Sequence, residues 1–324
     1  MSTPRCGVIA GPCKIVTAVG TYVTTGDVKV SIARDKRDLK SALRGTIDKV
    51  LKGTKLSIKG ELAPIPSYAV ELITMQPINI GSSIYGCSDA YLDIFGRDGV
   101  KIRFKASGLR QPGAIRFGDA NLYGEFEWGA VVGDDTDIGT LGNILAVSSA
   151  SFTEPQAAGD ASLWQTKAGV MVWGAAPSAP FDEVISEDTI EFMVKYGLRP
   201  RNNSRDGMFD ELITEVTVEL KLKPQEMTVA QFLSKFAVDG PNAVPGLNLA
   251  TIAEAIQIKT TPQAEGDLVI DLAAMTCDAG ELAWGAESNR IGEVTLIGTQ
   301  SYNEGTSSLN PLYALSLYEA PEEP

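Results

Sequence analysis

The chain has 324 residues, 28 Lys and Arg against 41 Asp and Glu, and no histidine, so its formal charge is −13. That length holds one large domain or two ordinary ones, and 44% apolar with 21% charged residues is ordinary globular composition. Without histidine no Ser-His-Asp or Cys-His catalytic site and no His-ligated metal site can be built, and the acidic excess repels nucleic-acid phosphates.

Met1 to Arg5 precede a short apolar stretch broken by Gly11 and Pro12. It is too short and too interrupted for a secretory leader, and no apolar run reaches the ~18 residues of a membrane span. Cys6, Cys13, Cys87 and Cys277 form no C-x-x-C pair, so they are expected to act as small hydrophobes rather than as disulfides or ligands. Residues 27–33 and 54–62 alternate apolar and polar, the period of a half-buried strand. Between them the charged stretch Arg34, Asp35, Lys36, Arg37, Asp38 and Lys40, continuing to Arg44, reads as a long exposed interface loop. Asp35 and Asp38 interrupt it and aromatic residues are lacking, which disfavours a phosphate-binding patch.

Ser67 to Met75 reads as a helix with Ser67 as its N-cap. Short strands are predicted at Tyr91–Phe95, Val100–Lys105, Ala114–Phe117 and Leu122–Ala130. Asp134, Asp135 and Asp137 could offer oxygens to Ca²⁺, but the run lacks the glycine and later glutamate of a loop site, so a solvated turn is expected. Around Gly159 to Lys167 a domain junction is expected. Strands are then predicted at 189–195 and 215–223, separated by a second exposed loop carrying Tyr196, Arg199, Arg201 and Arg205, with a helix at Thr228–Phe236.

The pattern recurs. Displaced by 162 positions, Gly7-Val8 falls on Gly169-Val170, Arg37 on Arg199, Gly45 on Gly207, Asp48 on Asp210 and Lys59 on Lys221. Displaced by 156, Gly124-Glu-Phe-Glu-Trp128-Gly-Ala meets Gly280-Glu-Leu-Ala-Trp284-Gly-Ala. Matches in a fixed order predict a tandem duplication, residues 1–162 and 163–324. Each copy is expected to be a mainly β sandwich or open barrel with one short α-helix. Trp128, Trp284, Gly45, Asp48, Gly207 and Asp210 are the repeated core positions. Glu125 and Glu127, two apart on a strand, could serve as a glycosidase carboxylate pair, but this match sets Ala283 against Glu127, which favours packing. No catalytic, metal or cofactor residue is expected. Residues 1–162 hold 18 basic and 17 acidic side chains, whereas 163–324 hold 10 and 24, so the imbalance lies in the second copy.

The first copy resembles the tail-tube (major tail) proteins of long-tailed bacteriophages. The resemblance rests on Gly26-Asp-Val-Lys-Val-Ser-Ile32, Gly45-Thr-Ile-Asp48, Lys55-Leu-Ser-Ile-Lys-Gly-Glu-Leu62, Ile80-Gly-Ser-Ser-Ile-Tyr-Gly86, Leu92-Asp-Ile-Phe-Gly-Arg-Asp-Gly99, the run Ala106 to Pro112, and Leu122-Tyr-Gly-Glu-Phe-Glu-Trp128. It covers most of residues 7–155 and departs in the second copy between Ala237 and Asp267. Family members mostly carry one such domain and close as hexameric rings; the resemblance therefore implies homotrimeric, pseudo-hexameric rings that stack into a tube. DNA would pass the lumen without specific binding, and tape-measure, terminator and baseplate proteins would be partners, in a virion assembled in the host cytoplasm. Asp134, Asp135, Asp137, Glu265 and Asp267 are the candidate lumen acids. Lys55 and Lys59 alternate with buried positions, so their face is expected to be solvated or intersubunit. A terminator or adaptor ring, or a β-sandwich receptor-binding module, are the alternative readings.

Overall fold

A computed structural model describes residues 13–17, 20–41, 43, 45–65, 67–70, 80–85, 91–96, 99–105, 107–118, 122–132, 145–149, 168–173, 183–203, 207–225, 228–235, 249, 252–282, 291–298, 302–303, 308–309 and 313–320. Among them the chain is mainly β, arranged in several antiparallel sheets. The N-terminal part begins with β1 (Lys14–Thr17), β2 (Thr21–Val23), β3 (Lys29–Ser41) and β4 (Gly45–Glu61). It continues with β5 (Tyr91–Phe95), β6 (Val100–Lys105), β7 (Ser107–Gln111), β8 (Ile115–Phe117), β9 (Glu125–Val132) and β10 (Leu145–Ser149). One sheet runs β10-β6-β5-β1-β2 and a second β3-β4-β9-β7.

The C-terminal part comprises β11 (Gly169–Trp173), β12 (Glu183–Ile185), β13 (Ile190–Asn203), β14 (Gly207–Leu222), β15 (Glu254–Thr260), β16 (Leu268–Leu282), β17 (Ile291–Gly298), β18 (Tyr302–Asn303), β19 (Ser308–Leu309) and β20 (Tyr313–Leu317). Its main sheet runs β12-β11-β15-β16-β17-β14-β13-β8, with β20 on β16. β8 thus leaves its sequence neighbours and closes the edge of β13. Strands β18 and β19 form a separate ladder.

Alternation explains the packing. Leu56 and Ile58 of β4 and Phe126, Trp128 and Ala130 of β9 face inward, while Lys55, Ser57, Lys59, Glu125 and Glu127 occupy the opposite face. The first two sheets meet through aromatic rings: Trp128 lies 6.3 Å from Tyr22 of β2 and packs edge-on against Phe126 at 4.4 Å. In the C-terminal part Phe192 of β13 meets Tyr313 of β20 at 5.7 Å, and β16, with fifteen residues, serves both ends of its sheet.

The strands expected at Tyr91–Phe95 and Val100–Lys105 form with those bounds. The two long loops do not: Arg34 to Lys40 lie in β3 and Tyr196 to Asn203 in β13, each in a long hairpin ladder. The described side chains of the Arg34 to Lys40 stretch are exposed and show no apolar alternation to read, so the backbone ladder carries it, whereas Tyr196 at the start of the second stretch is buried. Residues 67–70 are helical and already include Ser67, whose N-cap role is therefore not seen. The Tyr123 hydroxyl fixes this turn, accepting from Ala69 N at 2.9 Å and donating to Ile65 O at 2.6 Å. The remainder of that predicted helix, and the junction at 159–167, lie outside the described residues. The later helix spans Val229–Lys235, opening with a bond from Phe232 N to Thr228 O.

Trp128→Ala should lower unfolding stability by about 3–5 kcal/mol, read by chemical denaturation, because its cavity would open between two sheets.

Candidate functional site: the junction between the two halves

The outer, polar face of the β4–β9–β7 sheet is covered by the far end of the β13–β14 hairpin. At its centre is Glu211 of β14, whose side chain is 3% exposed. Arg110 of β7 grips it with two parallel bonds, Nε to Oε2 at 2.6 Å and Nη2 to Oε1 at 3.1 Å. Lys55 Nζ donates to Oε1 and the Tyr85 hydroxyl to Oε2, both at 2.9 Å. Arg110 Nη1 reaches Glu127, which also accepts from Ser57 Oγ at 3.1 Å and lies 3.2 Å from Lys59 Nζ. The result is one network of three cations and two carboxylates, with Glu211 supplied from the C-terminal half and its donors from the N-terminal half.

Two glycines make room for it. A Cβ on Gly129 would fall 2.3 Å from both Arg110 Cδ and the Tyr85 hydroxyl, so a bare backbone lets these side chains lie across β9. A Cβ on Gly108 would meet the Ile84 carbonyl at 2.1 Å, which lets the segment beneath β7 approach.

That segment, residues 81–84, binds β14 through its backbone. Gly81 N donates to Ile213 O at 2.7 Å, Ile213 N to Ser82 O at 2.9 Å and Ile84 N to Glu211 O at 2.9 Å. Asp210, also buried, accepts from Ser83 Oγ at 2.6 Å and lies 3.6 Å from Arg201. On the other side of the hairpin, β8 pairs with β13 from Ile190 to Phe192, Arg116 donates to Glu191 at 3.0 Å, and Gln111 Nε2 donates to Val194 O at 2.6 Å. An open cleft of ≈430 Å³ beside this pairing is lined by Arg116, Asp188, Glu191, Lys221 and Lys223, so its charges are mixed. The N-terminal half therefore holds both edges of one hairpin.

The electrostatics follow. Burial pushes the Glu211 carboxyl up, but hydrogen bonds from Lys55, Arg110 and Tyr85 outweigh it and hold the group below the usual carboxylate range. Glu127 behaves alike, burial being outweighed by Lys59, Arg110 and Ser57. Burial, with Glu211 beside it, drives the Tyr85 hydroxyl strongly upward, so it remains a donor. Two carboxylates held as anions inside a cation network form a joint. A glycosidase general acid needs the opposite shift.

The sequence-derived candidates separate. Arg34, Lys36, Arg37, Asp38 and Lys40 are exposed on β3, and Arg199 and Arg201 are exposed on β13. Tyr196 is instead buried, and burial pushes its hydroxyl up to about 12. Asp48 is exposed whereas Asp210 is buried, so only the second is a core position; Gly45 and Gly207 begin β4 and β14. Glu265 is exposed, but Asp267, expected to be an exposed acid, is not. It is buried and accepts from Thr260 Oγ1 at 2.6 Å and Ala264 N at 2.8 Å, pinning the turn before β16. Trp128 is buried as expected. Asp134, Asp135, Asp137, Arg44, Arg205 and Trp284 lie outside the described residues, as do Cys6 and Cys87. Cys13 is a free buried thiol, its pKa raised by burial. No cluster of potential metal ligands occurs among the described residues, and none of their helices is long and apolar enough to cross a membrane.

Sequence reasoning missed Glu211, Arg110 and Tyr85. Glu211 sits beside the repeated Asp210, and Tyr85 lies within the Ile80–Gly86 run, but nothing local signals that they meet. No family model matches the chain, and no curated protein matches it.

Glu211→Gln should destabilise the chain by about 2–3 kcal/mol. That is less than the ~3–5 kcal/mol for breaking a fully buried pair, because Lys55 and Arg110 partly reach water. The two depressed carboxylates contribute stability that is complete above the ordinary glutamate pKa of about 4.3. It is lost as pH falls below that value through their folded pKa. Urea midpoints measured from pH 7 down to 3 should fall steeply below pH 4.3 in the native chain and more shallowly in Glu211→Gln.

Proposed function

We propose that the chain is a structural subunit of a phage tail tube, two homologous domains whose chains close as trimeric, pseudo-hexameric rings that stack into a conduit for viral DNA. One observation carries the reading: two hairpins with the same register stand in opposite states of cover. In β3–β4 the pairs run Lys29↔Lys59 to Asp35↔Gly53, slip, run Lys36↔Leu51 to Leu39↔Asp48, slip, and end at Ser41↔Gly45. In β13–β14 they run Glu191↔Lys221 to Gly197↔Glu215, slip, run Leu198↔Ile213 to Arg201↔Asp210, slip, and end at Asn203↔Gly207. Every pair is 162 positions from its counterpart, and both irregularities fall at the same places.

The surroundings follow the same offset. The bridges Thr24↔Leu62 and Ser186↔Pro224 correspond, as do the bonds Thr25 N to Glu61 O and Glu187 N to Lys223 O. Strand orders β10-β6-β5-β1-β2 and β3-β4-β9-β7 are matched by β20-β16-β15-β11-β12 and β13-β14-β17-β16. Coincidence does not reproduce bulges in register, so these correspondences support a duplicated domain with a helix in each copy. They also revise one match. Trp128 stands opposite Ile58 and Leu296 opposite Leu220, which makes Leu296, not Trp284, the counterpart of Trp128.

The two hairpins differ in what covers them. Val194 is 1% exposed and its carbonyl accepts from Gln111 of the N-terminal half, whereas Ile32 at the same position is 60% exposed; Leu39 and Val50 are bare as well. The edge of β13 is closed by β8, and β3 ends its sheet. A contact in which one copy grips the next copy's hairpin is head-to-tail. Such a contact recurs until its rotation closes. Three two-domain chains give the six positions that the tail-tube resemblance implies. An acidic chain suits a conduit that DNA must pass without sticking.

Light scattering with negative-stain images of the purified protein should give three chains per particle, or hollow tubes built from such particles. Rings that never stack would favour a terminator or adaptor, and monomers that fail to polymerise even with tail initiators would overturn the reading.

A further inference from the structure

We propose that Lys49 of one chain forms an ion pair with Asp278 of a second copy, the charge-reversed counterpart of the Arg110–Glu211 joint inside each chain. The inference rests on the ring reading above and adds the residues of its unbuilt contact.

The positions follow from register alone. Glu211 stands opposite Pro200 in the second hairpin, and Lys49 opposite Asp38 in the first, so Lys49 takes the place of Glu211. Arg110 is the extra residue at a ladder irregularity, since Leu109 pairs with Trp128 but Gln111 already pairs with Glu127. In the other copy Cys277 pairs with Leu296 and Ala279 with Thr295, leaving Asp278 as the extra residue. Trp128 and Leu296 occupy equivalent places, so Asp278 takes the place of Arg110. Both members of the internal pair are thus reversed in sign together: a cation on the gripping strand and an anion on the hairpin become an anion on the gripping strand and a cation on the hairpin.

A single reversal would be drift; a double reversal at two positions that touch only across a contact preserves attraction. The residues are poised for it. Lys49 and Asp278 are both exposed, and neither makes an ion pair among the described residues. Other substitutions point the same way. Glu191, which takes Arg116 inside the chain, is replaced by Lys29, so the bare hairpin presents Lys29, Arg34, Lys36, Arg37, Lys40 and Lys49 against exposed Asp38 and Asp48, a net positive surface. The strongly acidic C-terminal half supplies the complementary surface. The occupant of the bare β3–β4 hairpin is therefore the C-terminal half of another copy. Reversal also sorts the contacts: Arg110 and Lys49 repel, as do Glu211 and Asp278, so each hairpin is matched to one gripping surface.

The test compares full-length wild type, Lys49→Glu, Asp278→Lys and the double variant by sedimentation over a range of concentrations, with circular dichroism as the folding control. Each single reversal should raise the concentration for half-assembly by about tenfold or more. The double variant should return to within about threefold of wild type. If the wild type assembles but the double variant is no better than the poorer single, or if the singles assemble normally, the pair is wrong and the ring stands. A wild type that remains monomeric overturns the ring reading and the pair together.

Discussion

A carboxylate with almost no exposed surface stays charged only if cations are brought to it, and Glu211 receives its cations from the other half of the chain. This requirement organises much of the molecule. It explains why the outer face of the β4–β9–β7 sheet carries Lys55 and Arg110, why β9 has a glycine at 129, and why segment 81–84 runs beside β14. Remove the carboxylate and Lys55 loses its anion, while Arg110 keeps only Glu127. Remove the arginine and a buried anion faces one lysine and a tyrosine. Backbone pairing at β8–β13 supplies alignment, and the ion network selects the partner.

The inner faces follow a simpler rule. Alternating side chains place Leu56, Ile58, Phe126 and Trp128 on one side and charges on the other, so a single pleat serves the core and the joint at once. The far end of β13–β14 buries Tyr196 and Ile213, while the matching end of the β3–β4 hairpin extends beyond the core, where no apolar face constrains it. There the backbone ladder persists and surface chemistry is free to change, and the two hairpins diverge in charge while keeping their register.

Legibility in the sequence follows this division. Strands with one buried face were readable, and Tyr91–Phe95 and Val100–Lys105 have the expected bounds because their flanking turns punctuate them. The mainly β character was equally plain. Arg34 to Lys40 read as a loop because charge on both faces erases the period of two, although the offset of 162 already tied this stretch to its counterpart. Asp267 looked like a free acid because its partners, Thr260 and the Ala264 amide, bond it across a turn that its own sequence does not announce. The joint was hidden for a different reason. Arg110, Glu211 and Tyr85 are separated by up to 126 positions, and their meeting depends on the fold alone.

We propose that the contact built inside the chain is built again between chains. Hydrogen exchange on monomer and assembled protein reads this directly, because β13 is already paired by β8 at Ile190 to Phe192 while the matching stretch at Val28 to Val30 has an open edge. Amides at 190–192 should be protected in both samples, and those at 28–30 should gain protection only on assembly. Assembled material in which 28–30 exchange as fast as in the monomer would contradict it.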